Sequence, residues 1–398
     1  MSRQTNWASN PAKWVKRGQA IFFCLIGSVY AFAQLDNRVF EEHLAIRPER
    51  KQSLYLYVQN FAFVKNNEYF NAGIQGKTLF GYQLAPSLVY YPTQNVRIQA
   101  GVMAMKDFGA EGFSQLLPLF SVKIQKDCTS ITLGNLQGAL AHRLIEPLFD
   151  FERNITNRYE NGLQILWHRR RVFADVWVDW QQQASIATQT QEQIFGGLHM
   201  YYRPIDKPNF YLQFPFQFTI RHRGGQIGGS RQPLTNAVNY AVGVSAAWTF
   251  GEGSWLQKIN ADNYWVGSLN TAVDSTEVAK NEAGGAIYTN LTVTTRTLQM
   301  MLSYWQALSY FESAQGGELY RSFLLQAPAG QFGLFPRNRN ILILRLFKDV
   351  KVMDDLWLSF RFEPYFDFTN GLIEQAAGIY VNYRPYAKLL KVKAKQPD

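Results

Sequence analysis

Cysteine is almost missing from this chain: two in 398 residues, Cys24 and Cys128, leave at most one disulfide. Long hydrophobic runs are missing too. Beyond the first 33 residues no stretch reaches 18 consecutive apolar positions, which excludes crossing a membrane by helices. Charge is sparse, with Asp, Glu, Lys and Arg together at 18%, and no acidic residue precedes Asp36. The sequence also lacks a G-x-S-x-G elbow and an H-E-x-x-H motif, so the commonest hydrolase signatures are absent. What it has instead is aromatic residues, at 15%. Strands that are apolar on one face only need no long apolar run, and they take up many aromatics.

The first 33 residues read as a targeting segment. Arg3, Lys13, Lys16 and Arg17 precede a short apolar run, Ala20–Val29, and then Tyr30-Ala31-Phe32-Ala33 and Gln34, an A-x-A cleavage pattern. Phe22 and Phe23 before Cys24 exclude a lipoprotein box, which needs small residues there. Residues 1–33 are therefore expected to be a cleaved signal peptide. Its removal leaves Cys128 as the sole cysteine and lowers the net charge of +10 to +6, because four basic residues and no acids go with it.

Period-two alternation dominates the rest. In 210–221, Phe210, Leu212, Phe214, Phe216, Phe218 and Ile220 share one face, opposite Tyr211, Gln213, Pro215, Gln217, Thr219 and Arg221. The stretches 356–368, 238–250 and 172–180 repeat the pattern. Laid end to end, such segments predict about sixteen strands (range 14–18). They begin near residues 53, 77, 96, 115, 129, 160, 172, 193, 209, 236, 258, 286, 297, 340, 356 and 372. Connections alternate between short (such as 126–128 and 169–171) and long (such as 137–159, 222–235 and 310–339). Short periplasmic turns and long extracellular loops have this asymmetry, and the parity puts both termini in the periplasm. The expected architecture is all-β: a transmembrane, antiparallel, up-and-down barrel over 53–386. A short periplasmic or plugging segment (34–52) precedes it, and a basic tail (387–398) with Lys388, Lys391, Lys393 and Lys395 follows. Pro215 and Pro364 inside strands call for local bulges. The first strand, apolar on both faces over 54–64, calls for a loop packed against its inner side.

These features resemble the porin-type outer-membrane barrels of Gram-negative bacteria. The Ala-Phe-Ala-Gln junction and aromatic-rich strands are similar to porin-like proteins of the Bacteroidota. The lysine-rich C-terminus departs from the terminal aromatic of proteobacterial porins. The resemblance implies passive uptake of small polar solutes across the outer membrane, often by a homotrimer.

Few groups are arranged for chemistry. Gly76-Lys77-Thr78 echoes a phosphate loop, but Asn71 stands where the first glycine belongs and a strand follows. Asp175 and Asp179 share an inward face about 13 Å apart, too far for a glycosidase pair. His43, His142, His168, His199 and His222 show no metal-ligand spacing. No catalytic set, metal or cofactor is expected, nor nucleic-acid binding, since the basic residues are dispersed. The candidate lumen-facing charges are Arg97, Asp175, Asp179, Arg221, Arg345, Arg361, Glu363 and Asp367. A wet lumen tolerates them unpaired and implies a mild anion preference, whereas a plugged barrel requires them in pairs. The loop 137–159 carries His142, Arg143, Glu146, Asp150, Glu152, Arg153 and Arg158 among Leu144, Ile145, Leu148, Phe149 and Phe151. Such a loop either folds into the lumen as a constriction or covers its outer mouth. The functional expectation is a non-enzymatic diffusion pore; the alternative is a non-conducting surface protein acting as receptor, polysaccharide binder or secretion accessory. Mass spectrometry of protein extracted from outer membranes should find Gln34 as the first residue, and retention of residues 1–33 would refute the cleavage reading.

Overall fold

A computed structural model describes residues 37–41, 44–70, 74, 76–136, 141–224, 233–251, 253–273, 279–322 and 338–391. Residues 1–33, expected to be a signal peptide, and His43, Asn71 and residues 392–398 lie outside these. Strands β1 (Ser53–Glu68), β2 (Lys77–Thr93), β3 (Val96–Asp107), β4 (Gln115–Lys126), β5 (Thr129–Leu136) and β6 (Glu160–His168) open the fold. They are followed by β7 (Val172–Gln182), β8 (Gln193–Lys207), β9 (Phe210–Arg223), β10 (Leu234–Thr249), β11 (Leu256–Val273) and β12 (Ala279–Thr295). The last are β13 (Gln299–Ala307), β14 (Asn340–Met353), β15 (Leu356–Asp367), β16 (Leu372–Tyr383) and β17 (Tyr386–Lys391).

Each strand pairs antiparallel with the next, and β1 closes the sheet against the end of the chain. The upper half of β1 pairs with β16 (Asn60 opposite Tyr383, Glu68 opposite Gln375) and its lower half with β17 (Tyr57 opposite Tyr386, Ser53 opposite Lys391). Arg384 and Pro385 interrupt that last stave, so β16 and β17 make one of sixteen in a closed up-and-down barrel. The ladder therefore runs past the barrel end expected at 386, through a segment read as tail. Lys388 and Lys391 belong to its closing strand.

The faces follow the alternation. Gln213, Gln217 and Thr219 are buried inside, whereas Phe214 and Ile220 are exposed outside. Outward Leu88, Val102, Phe120, Val176, Val242, Leu291, Phe360 and Ile379 make an apolar surface that only hydrocarbon would cover comfortably. Aromatic residues mark both rims. Trp167, Tyr202, Trp248 and Trp255 lie towards the short-turn end; Phe80, Phe108, Trp180 and Phe368 lie towards the long-loop end.

Pro364 is accommodated without the expected bulge, whereas beside Pro215 the register shifts on the β8 side, between Tyr202 and Ile205. Opposite Pro215 the β9–β10 ladder steps from Phe216–Val242 directly to Gln213–Ser245, leaving two positions unpaired with the register intact. Pro364 is met the same way between β14 and β15, and Pro86 between β2 and β3. Each proline keeps its pairing on the other side, to Tyr201, Gln375 and Val58 respectively. A missing N–H costs one ladder bond and need not shift the strand.

The register yields a test. Phe360→Arg puts a guanidinium into hydrocarbon and should cost about 2–4 kcal/mol near mid-bilayer, read as a lower urea midpoint in lipid vesicles; Phe360→Leu should be nearly neutral. Equal midpoints for the two would overturn the outward assignment.

Candidate functional site

Three stretches of chain occupy the interior. The loop 141–159 between β5 and β6 crosses it, the loop 308–322 between β13 and β14 lies against that one, and residues 37–41 and 44–50 lie along the wall.

The first loop is clamped where it leaves the wall. His142 is fully buried, with Nδ1 2.8 Å from Asp175 Oδ2 of β7 and Nε2 2.9 Å from Glu160 Oε2 of β6. Its ring stacks on Trp177 at 3.7 Å. Gln164 donates to both oxygens of Asp175 at 2.9 Å, and His199 Nδ1 meets the carbonyl of His142 at 2.8 Å. Burial disfavours the imidazolium, but Asp175 and then Glu160 outweigh it and raise His142 to about 10. It is a cation at neutral pH, held from both sides. The next turn needs Arg143 at φ 55°, and Gln217 of β9 fixes it, accepting from Ile145 N–H at 2.8 Å and donating to the Arg143 carbonyl at 3.2 Å. The change Gln217→Arg, harmless in a water-filled lumen, would here break this anchor.

Across the lumen the loop meets the opposite wall. Glu146 binds Arg345 of β14 and accepts from Tyr320 OH at 2.7 Å; Arg345 also pairs with Glu363 of β15 at 2.9 Å. Glu152 pairs with Lys65 of β1 at 2.8 Å and Lys77 of β2 at 2.7 Å. Burial raises a carboxyl, yet these two ammonium groups hold Glu152 down at about 2. Its neighbour Asp150 is raised to about 7, first by burial and then by Glu152. Phe151 receives the Arg361 guanidinium on its face at 3.9 Å, and a helical turn, Arg153–Thr156, presents the Ile155 carbonyl to Gln83 of β2 at 2.6 Å.

The other two stretches brace this crossing. Asp150 N–H donates to the Gln315 carbonyl, Ser313 Oγ to the Leu148 carbonyl and Gly317 N–H to the Glu146 carbonyl. A Cβ on Gly316 would come 1.8 Å from the Pro147 carbonyl, so only glycine allows the two loops this close. From the N-terminal segment, Phe40 packs edge-on against Phe151, Phe61 and Tyr380, and its carbonyl accepts from Arg158 at 3.1 Å. Glu41 lies 3.8 Å from Arg143. Arg50 anchors the lower end over the rings of Tyr55, Tyr91 and Tyr386.

All the candidate wall charges but Arg221 have named partners. Arg97 donates to the Leu44 carbonyl at 2.8 Å, Asp175 and Glu363 are paired as above, and Asp367 pairs with Arg339 at 3.0 Å, both fully buried. Asp179 accepts from Asn161 N–H at 2.7 Å, Arg361 binds Asn37, and Arg221 is partly buried on the inner face. They do not converge on one centre. His142 meets Asp175, while Arg345, Glu363 and Glu146 meet beside a cavity of about 40 Å³ that Lys65, Lys77, Asp150, Glu152, Tyr320 and Tyr365 help to line. The sequence reading missed Glu160, Gln164, Lys65, Lys77, Tyr320 and Arg339. Inward parity marks Glu160, Gln164 and Lys65, whereas nothing in the sequence singles out Tyr320 or Arg339, which stand in a long loop.

The hydrogen bonds of His142, His199 and His222 go to carboxylates, amide side chains and a main-chain carbonyl, none to a hydroxyl or thiol. Among the described residues no group of three or more His, Cys, Asp or Glu is placed to hold a metal.

Residues 46–392 match the model of a family described as lipid A 3'-O-deacylase-type. A search of curated proteins gives no match. Among solved structures, a loop-deletion form of OmpT from Vibrio cholerae aligns at TM-score 0.49 and 9% identity, covering 83% of this chain and 99% of that one. OprD of Pseudomonas aeruginosa aligns at 0.46 and 10% (87% and 96% covered), and OccAB4 of Acinetobacter baumannii at 0.45 and 11% (86% and 100%).

The clamp makes a pH-dependent prediction. Because His142 is raised from 6.5 to about 10, its hold on the loop is complete below pH 6.5 and is lost as pH rises through 10. Protease protection of the loop should fall over that alkaline range, and His142→Ala should be poorly protected throughout. An unchanged profile in the variant would remove the clamp from the account.

Proposed function

We propose, starting from the chain's membership of the lipid A 3'-O-deacylase-type family and its place as a β-barrel in the bacterial outer membrane, that it serves there as a non-conducting barrel rather than a diffusion pore. One observation carries this reading: the loop 141–159 is bonded to the wall at both ends of its crossing, by His142 to Asp175 and Glu160 and by Glu146 and Glu152 to Arg345, Lys65 and Lys77. Buried ion pairs of this kind hold only while both partners stay together, since removing one leaves an uncompensated charge. A mild anion preference loses most of its support here, because Arg97, Arg345 and Arg361 have partners. Function then belongs to the outer rim and the lipid-facing wall. The 1–33 signal peptide and periplasmic termini belong to the same reading, since together they place the long loops at the cell surface.

The family description favours a second reading, removal of an ester-linked acyl chain from lipid A. The family match supports it.

Planar-bilayer recording decides between pore and plug. The wild type should give no conductance steps at neutral pH, and Glu146→Ala combined with Glu152→Ala should give them. Steps in the wild type would restore the diffusion pore. Incubation with lipid A and mass spectrometry tests the second reading: loss of one acyl chain, relative to a mock-refolded control, would make the barrel a deacylase.

A further inference from the structure

The short turn between β6 and β7 is Arg169-Arg170-Arg171, three cations in succession and all of them exposed. Two lysines extend the row along the same rim. On the β4 side Lys126 stands opposite Thr129, and Thr129 opposite Trp167. Cross-strand partners share a face, so Lys126 lies on the outward side with Trp167, which is exposed. On the β8 side Lys207 stands opposite Phe210, and Phe210 opposite the exposed Trp248, again on the outward face. Between them Tyr202, opposite Val172, is exposed as well. Neighbouring strands lie about 4.8 Å apart, so the row from β4 to β8 covers roughly 20 Å of rim.

Most of this charge has no acid against it. Arg170 pairs with Asp206 at 2.7 Å, but Asp206 is shared with Arg203 at 3.4 Å. Lys126, Arg169, Arg171 and Lys207 are exposed and form no ion pair among the described residues. Arg169 lies instead over the ring of Trp167, 5.5 Å from its centre. That ring faces outward, so the guanidinium is held on the lipid side of the rim. Tryptophan and tyrosine mark the level of the bilayer interface, and these bases stand at or just beyond it.

What meets them there is therefore anionic and part of the membrane surface. The planar fork of arginine matches two phosphate oxygens at once, and ammonium groups add charge without demanding one geometry. Clusters of four or more bases beside a membrane span attract anionic lipid in this way. We propose that Lys126, Arg169, Arg170, Arg171 and Lys207 form a binding face for the phosphate groups of anionic phospholipids, such as phosphatidylglycerol and cardiolipin, in the leaflet at the short-turn end. With the termini in the periplasm, as in the reading above, that leaflet is the periplasmic one. Bound headgroups would fix the depth of β4 to β8 in the bilayer, whether or not the lumen conducts.

The test uses the full barrel in vesicles of phosphatidylcholine mixed equally with phosphatidylglycerol or cardiolipin, extracted in mild detergent and weighed by native mass spectrometry. The wild type should retain anionic lipid over phosphatidylcholine by on the order of tenfold, and high salt should erode that preference. Arg169→Gln combined with Arg171→Gln and Lys126→Gln should abolish it. Lys351→Gln, at the same end of the barrel but on β14, should leave it unchanged. Equal retention of the lipids by the wild type, or equal loss in both variants, would overturn the proposal. So would a preference for lipopolysaccharide over phosphatidylglycerol, or equally tight binding of soluble polyglutamate, which would make the row a general polyanion surface. Should the triple variant fail to fold, the lipid competition and its salt dependence in the wild type still decide. None of these readouts depends on conductance, so the outcome is separate from the choice between pore and plug.

Discussion

Hydrocarbon offers a peptide group no hydrogen bond, and the whole molecule is arranged around that fact. Every spanning strand must find its partners in other strands, so the sheet has to close. It closes where β1 meets β16 over Asn60–Glu68 and β17 over Ser53–Tyr57. Even Pro86, Pro215 and Pro364 obey the constraint, each giving up pairing on one side while keeping it on the other. The aromatic and branched residues of the outer face follow from the same requirement, since the ladder satisfies the backbone and leaves only side chains to meet lipid.

Closure creates an inside, and sixteen strands enclose more space than inward side chains can fill. This barrel brings stretches of its own chain into it. The loops and the N-terminal segment bring carbonyls, N–H groups and charges into a region shielded from water, so each needs a partner. That is why the interior reads as an inventory of matched pairs: Glu146 with Arg345, Glu152 with Lys65, Arg339 with Asp367. It also explains why apolar anchors such as Leu148, Phe149 and Phe151 sit between those charges in one loop. They supply the burial that makes the ion pairs strong and the specificity that makes them unique.

Much of this was legible beforehand, for a physical reason. A strand between lipid and lumen has two unlike faces, and period two records them residue by residue; Phe210–Arg223 of β9 carries its orientation in its letters. Turn parity extended that to topology. What stayed hidden was of two kinds. The strand ends were extended by pairing beyond the apolar band: β12 starts at Ala279, ahead of the Ala286 suggested by alternation, and β17 continues through lysines. The interior contacts were hidden because they join residues far apart by geometry no local pattern records. Whether His142 meets Asp175 depends on how the loop folds back, and the same letters would serve a loop lying over the mouth.

The seam between β1 and the end of the ladder has a consequence for how the molecule is made. Asn60 donates its side chain to the carbonyl of Tyr383, 323 positions away. Every other adjacent pair of strands can form as the chain emerges, hairpin by hairpin, at modest entropic cost. The seam cannot. Until β16 and β17 exist, β1 is an edge strand with its bonds open to any chain that offers a match, including a second copy of itself. Such non-local pairing is slow to form. The N-terminal segment aggravates this, because Phe40 and Arg50 find their partners only once the wall around them is complete. Partly built barrels are thus the vulnerable species, and the time spent waiting for the last stave, rather than the stability of the finished barrel, sets how much protein is lost on the way.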